Sequence, residues 1–481
     1  MTSEVEAIHT SIPEDSIQAE LEVKVSLKDK VAWGVSSVSD QFVTNGIQTL
    51  ALPIYNLSLG LDPRLLGWGL AIPRILDAVL DPAIGNFSDN ARTRWGRRRP
   101  FVFVGAILLS VFFALMWMPP RGWNHNWLFA YFLMTSMLCY FGYAVFVIPR
   151  GAMGIELSSD YHERTGIFAM NSFFAYLAGF LMPWLYNLSF QAGHLVNGDE
   201  LDGVGLVAIG CGVLMLVCAI SPALFLRERK SSHVQQSHIG LADGFRMTLS
   251  NYPFILMFFI VFLILLACFL VGPMNLYISI DYVCGGDKEY GSKVGGWNGM
   301  VQGAVGLLAT PLIVWVAHRI GKKNTMIIGQ LIAMSGFISS WWLFTPNYPY
   351  LQLVETALVN IGLACVWVLS GSIMADICDT DELKTGLRRE GMFGAVYAFM
   401  NKTSTACVTI VAGYVLVLSG YQEGMIQSPE TLFMMRLLFI VITVACLSIS
   451  LFLTFLFPIT EQTAREVRAR LDARKNTHAD K

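Results

Sequence analysis

Residues 71–85 read AIPRILDAVLDPAIG, an apolar run interrupted by Arg74, Asp77 and Asp81. One ionised carboxylate at mid-bilayer costs roughly 2.5–3.5 kcal/mol on insertion scales. A span that carries two, one helical turn apart, has a use for them. The i, i+4 spacing sets both acids on one face of a helix, with Arg74 one turn earlier on the same side. Such a face meets a water-filled cavity or a bound cation rather than lipid.

The rest of the chain agrees that the solvent is lipid. Of 481 residues, 54% are hydrophobic and 14% charged, with mean hydropathy +0.53. A soluble domain averages about 25% charged residues. A net charge of −2 lends no support to a nucleic-acid partner. The nine cysteines are scattered, mostly inside apolar spans, with no CxxC or Cys/His cluster. They read as small packing residues, and no metal framework or cofactor is expected. All eight histidines fall in loops or tails, so none is placed for intramembrane chemistry, and an enzyme is not expected. Nor is a sensor, which would carry an appended soluble domain. Residues 1–30 are polar and acidic ahead of any apolar run, and read as a cytosolic tail without a cleavable signal.

A helix needs about 20 apolar residues to cross a bilayer. Twelve stretches qualify: 31–58, 65–88, 100–118, 127–150, 165–188, 203–225, 253–279, 295–317, 324–345, 350–375, 391–418 and 431–457. The first, second, fourth and eleventh carry Gly, Pro or charge mid-span and are the expected cavity liners. Loops on one side hold 25 of the 33 Lys and Arg residues; the other side holds Arg64, Arg121, Lys288 and Lys293. That asymmetry puts both termini in the cytosol.

The two halves repeat. Arg94-Trp-Gly96-Arg97-Arg98 follows span two, and Arg319-Ile-Gly321-Lys322-Lys323 follows span eight, an offset of 225. Glu156 leads to Arg164-Thr-Gly after span four, and Asp376 to Lys384-Thr-Gly after span ten, an offset of 220. The expected architecture is therefore all-α, with twelve transmembrane helices in two six-helix halves. Residues 31–227 form one half and 246–457 the other. Residues 228–245 form a cytosolic linker and 458–481 a cytosolic tail. Parallel repeats of this kind bind their substrate near the midplane between the halves.

These residues resemble a known family. Arg74-Ile-Leu-Asp77-Ala-Val-Leu-Asp81-Pro82, with Arg94-Trp-Gly-Arg-Arg-Arg-Pro100, looks like span two of the glycoside–pentoside–hexuronide:cation symporters. That family lies within the major facilitator superfamily and includes melibiose permease. Glu156-Leu-Ser-Ser-Asp160-Tyr-His-Glu-Arg164-Thr is similar to its loop after span four. Asp376…Asp379-Thr-Asp-Glu382…Thr385-Gly…Arg388-Arg-Glu-Gly391 resembles its loop before span eleven, and Lys402 stands where the family has a Lys in span eleven. The resemblance implies cation-coupled sugar symport by alternating access across the cytoplasmic membrane. Asp77 and Asp81 would then be the coupling carboxylates, with Lys402 approaching them from the other half. Two adjacent carboxylates can hold Na⁺ or share a proton.

Departures from the family's pattern matter as much. Leu80 replaces an Asn that helps melibiose permease hold sodium, and Ala144 replaces a hydroxyl-bearing residue. The loss of two neutral oxygens leans toward H⁺ over Na⁺. Val147, Gly151 and Ser172 occupy the positions of its sugar-reading Asp, Trp and Arg, and Gln41, beside Asp40, that of its acidic contact in span one. Tyr143 is retained, and Arg150 is new. The planar fork of a buried Arg suits a carboxylate, so an anionic sugar is one expectation for Arg150; a structural bridge to Asp40 or Glu156 is the other. The expected substrate contacts are Asp40, Gln41, Arg74, Tyr143, Arg150, Asn171 and Ser172, with Trp33 and Trp297 as candidate stacking faces. Asp89, Arg97, Arg98, Glu156, Arg164, Asp376 and Lys384 are the expected gating residues. The chain is expected to work as a monomer. A lipid or lysolipid carrier of the same superfamily is the alternative, recognisable by a greasy lateral opening.

Overall fold

The computed structural model describes residues 25–158, 161–226, 250–385, 390–422, 425 and 427–479. The linker expected at 228–245 and most of the N-terminal tail lie outside them. Twelve long helical rods run in order: α1 (residues 27–58), α2 (Pro63–Asn90), α3 (Arg99–Met116), α4 (His125–Glu156), α5 (residues 161–195), α6 (Glu200–Phe225), α7 (Tyr252–Val283), α8 (Lys288–Ile320), α9 (Lys322–Leu343), α10 (Gln352–Thr385), α11 (Glu390–Leu418) and α12 (Pro429–Leu456). Each coincides with one expected span. A thirteenth helix, α13 (Glu461–Ala479), shapes the C-terminal tail and packs against α10.

Among the described residues, ten of these rods are long and apolar enough to cross a membrane on composition alone. The other two are α1 and α2, and the reason is chemical. Helix α1 carries Ser36, Ser37, Ser39, Asp40, Gln41, Thr44, Asn45 and Gln48, and α2 carries Arg64, Arg74, Asp77 and Asp81. Both bury polar groups inside the protein instead of showing them to lipid. Helix α1 is also wound into two wide π turns, Phe42–Gly46 and Leu52–Ser58. The second contains Pro53, which has no N–H to give; its carbonyl accepts the Ser58 hydroxyl at 3.1 Å.

Helix starts are capped by short polar side chains. Asn124, Asn251, Asp287 and Ser428 each accept from a backbone N–H in the first turn of α4, α7, α8 and α12. At α6 the Asp199 carboxylate accepts from Leu201 and Asp202, and Asp202 reaches back to the cap. Those backbone N–H groups, that of Asp202 foremost, hold the Asp199 carboxyl below its ordinary range.

The repeat is visible in the packing. Gly105 of α3 faces Gly142 of α4 so closely that a Cβ on Gly105 would lie 2.6 Å from the Phe146 nitrogen. In the other half, a Cβ on Gly362 of α10 would lie 2.7 Å from the Gly329 carbonyl of α9. These crossings stand at nearly the same offsets as the loop motifs, and small residues let the backbones touch where lipid supplies no hydrophobic drive. The loop glycines also match: Gly96 has φ +115° and Gly321 φ +84°, the left-handed region that glycine enters freely.

The halves meet at the helix ends remote from the basic loops. Gly67 and Gly413 let α2 and α11 cross, with Pro63 and Thr409 carbonyls against them. Pro183 and Trp184 of α5 fit onto Gly299 and Gly296 of α8. Asn187 donates to Ser292 at 3.1 Å, Tyr277 to Asn56, and Lys288 to the Leu57 carbonyl at 2.7 Å.

A Cβ on Gly413 would sit 2.4 Å from the Pro63 carbonyl, and backbone cannot yield there. Gly413→Val is therefore expected to part α2 from α11 at this end. A cysteine at Leu416, in a background without native cysteines, should then label several-fold faster with an impermeant thiol reagent supplied from that side. Unchanged labelling would show that the seal does not depend on this crossing.

Candidate functional site

The acidic face of α2 is met by a base from the opposite half. Lys402 of α11 places its Nζ 2.8 Å from Asp77 Oδ2 and 2.6 Å from Asp81 Oδ2. Asp77 is 3% exposed, and Asp81 and Lys402 are half-buried. The remaining Oδ1 atoms of both acids are buried and have no hydrogen-bond partner among the described residues. Arg74 does not bond to either acid. Its Nε donates to the Tyr140 hydroxyl at 3.1 Å and its Nη2 to the Thr44 carbonyl at 2.7 Å. Two carboxylates thus share one ammonium across the interface, with spare acceptor atoms on both.

The N-terminal half holds a second polar cluster next to this one. Tyr143 donates to Asp40 Oδ1 at 2.5 Å, and Asn45 donates to Gln41 at 2.6 Å. Arg150, 5% exposed, gives its Nε to Ser36 at 2.5 Å and its Nη2 to Asn171. Its guanidinium lies 5.0 Å from the Trp33 ring and 5.8 Å from Phe146. The Trp33 indole donates to the Arg150 carbonyl at 3.0 Å. Of the two expected roles, the bridge to Asp40 or Glu156 is not formed: Asp40 takes Tyr143, and Glu156 takes Arg97 and Arg98. Trp33 is buried against Gly154 and offers no open stacking face. Trp297 is exposed beside Trp184. Ser172 is exposed, its hydroxyl bonded to the Phe168 carbonyl at 3.1 Å.

Three of the expected gating residues, Arg97, Glu156 and Asp376, form one motif twice together with Lys322. Arg97 pairs with Glu156 at 2.6 Å, and Lys322 pairs with Asp376 at 2.5 Å. Lys322 stands 225 residues after Arg97, and Asp376 stands 220 after Glu156. Arg98 adds contacts of 2.6 Å to Asp89 and to Glu156. Each of these loop bridges closes within its own half. Lys384 is exposed, and the side chain of Arg164 lies outside what is described.

A cavity of about 490 Å³ opens between the halves, on the sealed side of the Asp–Lys cluster. Its polar lining includes Asn45 and Gln48 of α1, Asn298 and Gln302 of α8, and Glu355 and Asn360 of α10. None of the seven expected substrate contacts is among its lining residues. The rule that singled out Asp77, a polar group inside an apolar span, reaches these amides too. They carry no charge, so they stand out less. Glu355 is an acid inside the apolar stretch 350–375.

Comparison with known proteins gives a consistent result. Residues 32–461 match the family model described as MFS/sugar transport protein. The chain is 25% identical to the glucuronide carrier protein homolog of Escherichia coli (strain K12), covering 94% of this chain and 97% of that one. It is 24% identical to the isoprimeverose transporter of Lactiplantibacillus pentosus, covering 85% and 84%. In fold it is similar to a bacterial homologue of the human lysosomal transporter Spinster, solved inward-facing and unoccupied. That match has a TM-score of 0.68 at 14% identity, over 92% of this chain and 97% of the other.

Removing Lys402 leaves two acids inside the protein without a base. Lys402→Met is expected to cost about 2 kcal/mol or more in stability. Combining it with Asp77→Asn and Asp81→Asn should restore most of that loss. Thermal melts of the purified protein in detergent test this; a triple variant no more stable than Lys402→Met alone would refute the pairing as the cause.

Proposed function

The chain belongs to the MFS/sugar transport protein family, whose members are transporters rather than enzymes, and from that premise we propose that it is a proton-coupled sugar symporter. It crosses the membrane many times. We place it in the cytoplasmic membrane as a single working chain with both termini in the cytosol, as the basic loops require. The two six-helix halves, 31–227 and 246–457, would rock about the cavity between them.

One observation carries the reading: Lys402 of one half is held by Asp77 and Asp81 of the other at 2.8 and 2.6 Å. With the basic loops in the cytosol, the halves are sealed at the outer ends, and the bridge lies across the path by which they would separate. A cation arriving at the acids competes with Lys402. It loosens α11 from α2 and alters the balance between two arrangements of the halves. A sugar in the cavity adds its own preference for one arrangement, which is the coupling between the two solutes.

A proton suits this site better than Na⁺. A hard metal cation takes several oxygen ligands. Here Leu80 and Ala144 supply none, and Lys402 already occupies one oxygen of each acid. A proton needs only one free carboxylate oxygen, and both Oδ1 atoms are free of partners among the described residues. The amides set into the otherwise mostly apolar cavity wall support a hydroxyl-bearing solute, since amides both donate to and accept from hydroxyls.

In proteoliposomes, an imposed pH gradient should drive sugar accumulation, and a Na⁺ gradient at constant pH should not. Asp77→Asn and Asp81→Asn should each cut accumulation at least about tenfold while sugar exchange without a gradient persists. Full accumulation in both variants would refute the coupling role. Accumulation that follows Na⁺ alone would refute the proton.

A further inference from the structure

We propose that Glu355 is a substrate-reading residue: it enters the cavity as the neutral carboxylic acid and binds a hydroxyl of an uncharged sugar through its acid proton and carbonyl oxygen. The proposal rests on the reading of this cavity as the transport cavity, and it concerns a residue that the coupling mechanism does not use.

Glu355 lies near the start of α10, lines the cavity and is 1% exposed. Its Oε1 is buried with no hydrogen-bond partner among the described residues. Its Oε2 has only the hydroxyl of its neighbour Thr356, at 3.4 Å, and that hydroxyl also faces Asn298 Oδ1 at 3.2 Å. The contrast with Asp77 and Asp81 is direct, because those acids share an ammonium. No Lys, Arg or His is among the described residues lining the cavity. From α7 the titratable side chain at the cavity wall is the Cys268 thiol, and from α8 the polar ones are Ser292, Asn298 and Gln302.

An ionised carboxylate in that position would bear its full desolvation cost with no counter-charge. The neutral acid avoids that cost and presents one donor and one acceptor side by side. A sugar hydroxyl likewise donates and accepts, so it can satisfy both atoms, and the amides of Asn298 and Asn360 line the same cavity. A substrate carboxylate would meet no cation on this wall. The lining therefore selects against uronates by leaving their charge unpaired, and selects for neutral glycosides.

Equilibrium exchange in proteoliposomes, run without any ion gradient, tests this apart from coupling. The probes are a panel of neutral glycosides beginning with isoprimeverose, and methyl glucuronide. The wild type should exchange a neutral glycoside in preference to the glucuronide. Glu355→Ala should raise the half-saturating concentration of that glycoside about tenfold, and Glu355→Gln, which keeps a donor beside an acceptor, only a few-fold. The infrared difference between wild type and Glu355→Gln at pH 7 should contain the carbonyl stretch of a protonated carboxyl. Three results would overturn the assignment: an unaltered half-saturation in Glu355→Ala, equal impairment in both variants when both remain monodisperse, or no protonated-carboxyl band in the difference. If the wild type exchanges no sugar at all, the transport reading falls and this assignment with it. If exchange is intact but no gradient drives accumulation, only the coupling reading falls.

Discussion

A charge taken out of water must find a partner or be neutralised, and in this protein that constraint decides where helices from opposite halves meet. Asp77 and Asp81 sit inside the fold, and the base that satisfies them is Lys402, far along the chain on α11. The pairing is short by one charge, since two acids share one ammonium. A bridge that is slightly unsatisfied is a suitable switch: a second positive charge improves it, and its arrival changes what holds the halves together. The other intramembrane arginines are spent differently. Arg74 and Arg150 each bond to neutral oxygens and lie against aromatic rings, so they stiffen the N-terminal half rather than link it to its partner.

Duplication explains much of the remaining architecture. The same close helix crossing, the same left-handed loop glycine and the same ion pair under the loop occur once in each half. Each repeated element works within its own half and makes that half a rigid body. Beyond the Lys402 bridge and the Lys288–Glu200 and His194–Glu289 contacts, the halves touch in another way: glycine against backbone carbonyl, proline against glycine, and single hydrogen bonds. Rigid bodies joined by light contacts can change their relative tilt without repacking their interiors.

The cavity and the charge cluster divide the labour by chemistry. The cluster concentrates formal charge on α2 and α11. The cavity wall is mostly apolar, with amides, hydroxyls and the acid of Glu355 set into it from both halves. A solute bound there touches α1, α8 and α10 together, and that simultaneous contact is how its binding can favour one arrangement of the halves over another.

The twelve long helices, the repeat and the charged face of α2 were legible in the chain, because each is a local matter, although α5, α8 and α10 extend seven to ten residues past their expected ends. Twenty apolar residues must be helical in lipid, and an acid among them must face inward. The motif offsets of 225 and 220 gave the duplication, while the pairing of Arg97 with Glu156 and of Lys322 with Asp376 emerges from the fold. Position along the chain does not say which inward-facing groups remain free once the helices pack. Arg150, Asn171 and Asp40 read as substrate contacts because they are polar in apolar spans, yet in the fold Arg150 donates to Asn171 and Ser36, Asp40 accepts from Tyr143, and all three lie outside the cavity. Glu355 is one acid among many in the chain, and only the packing of α7, α8 and α10 around it leaves its carboxyl buried at the cavity wall without a counter-charge. Hydrogen bonds are satisfied in three dimensions, so which polar groups are consumed by the fold and which are left for a ligand is decided there.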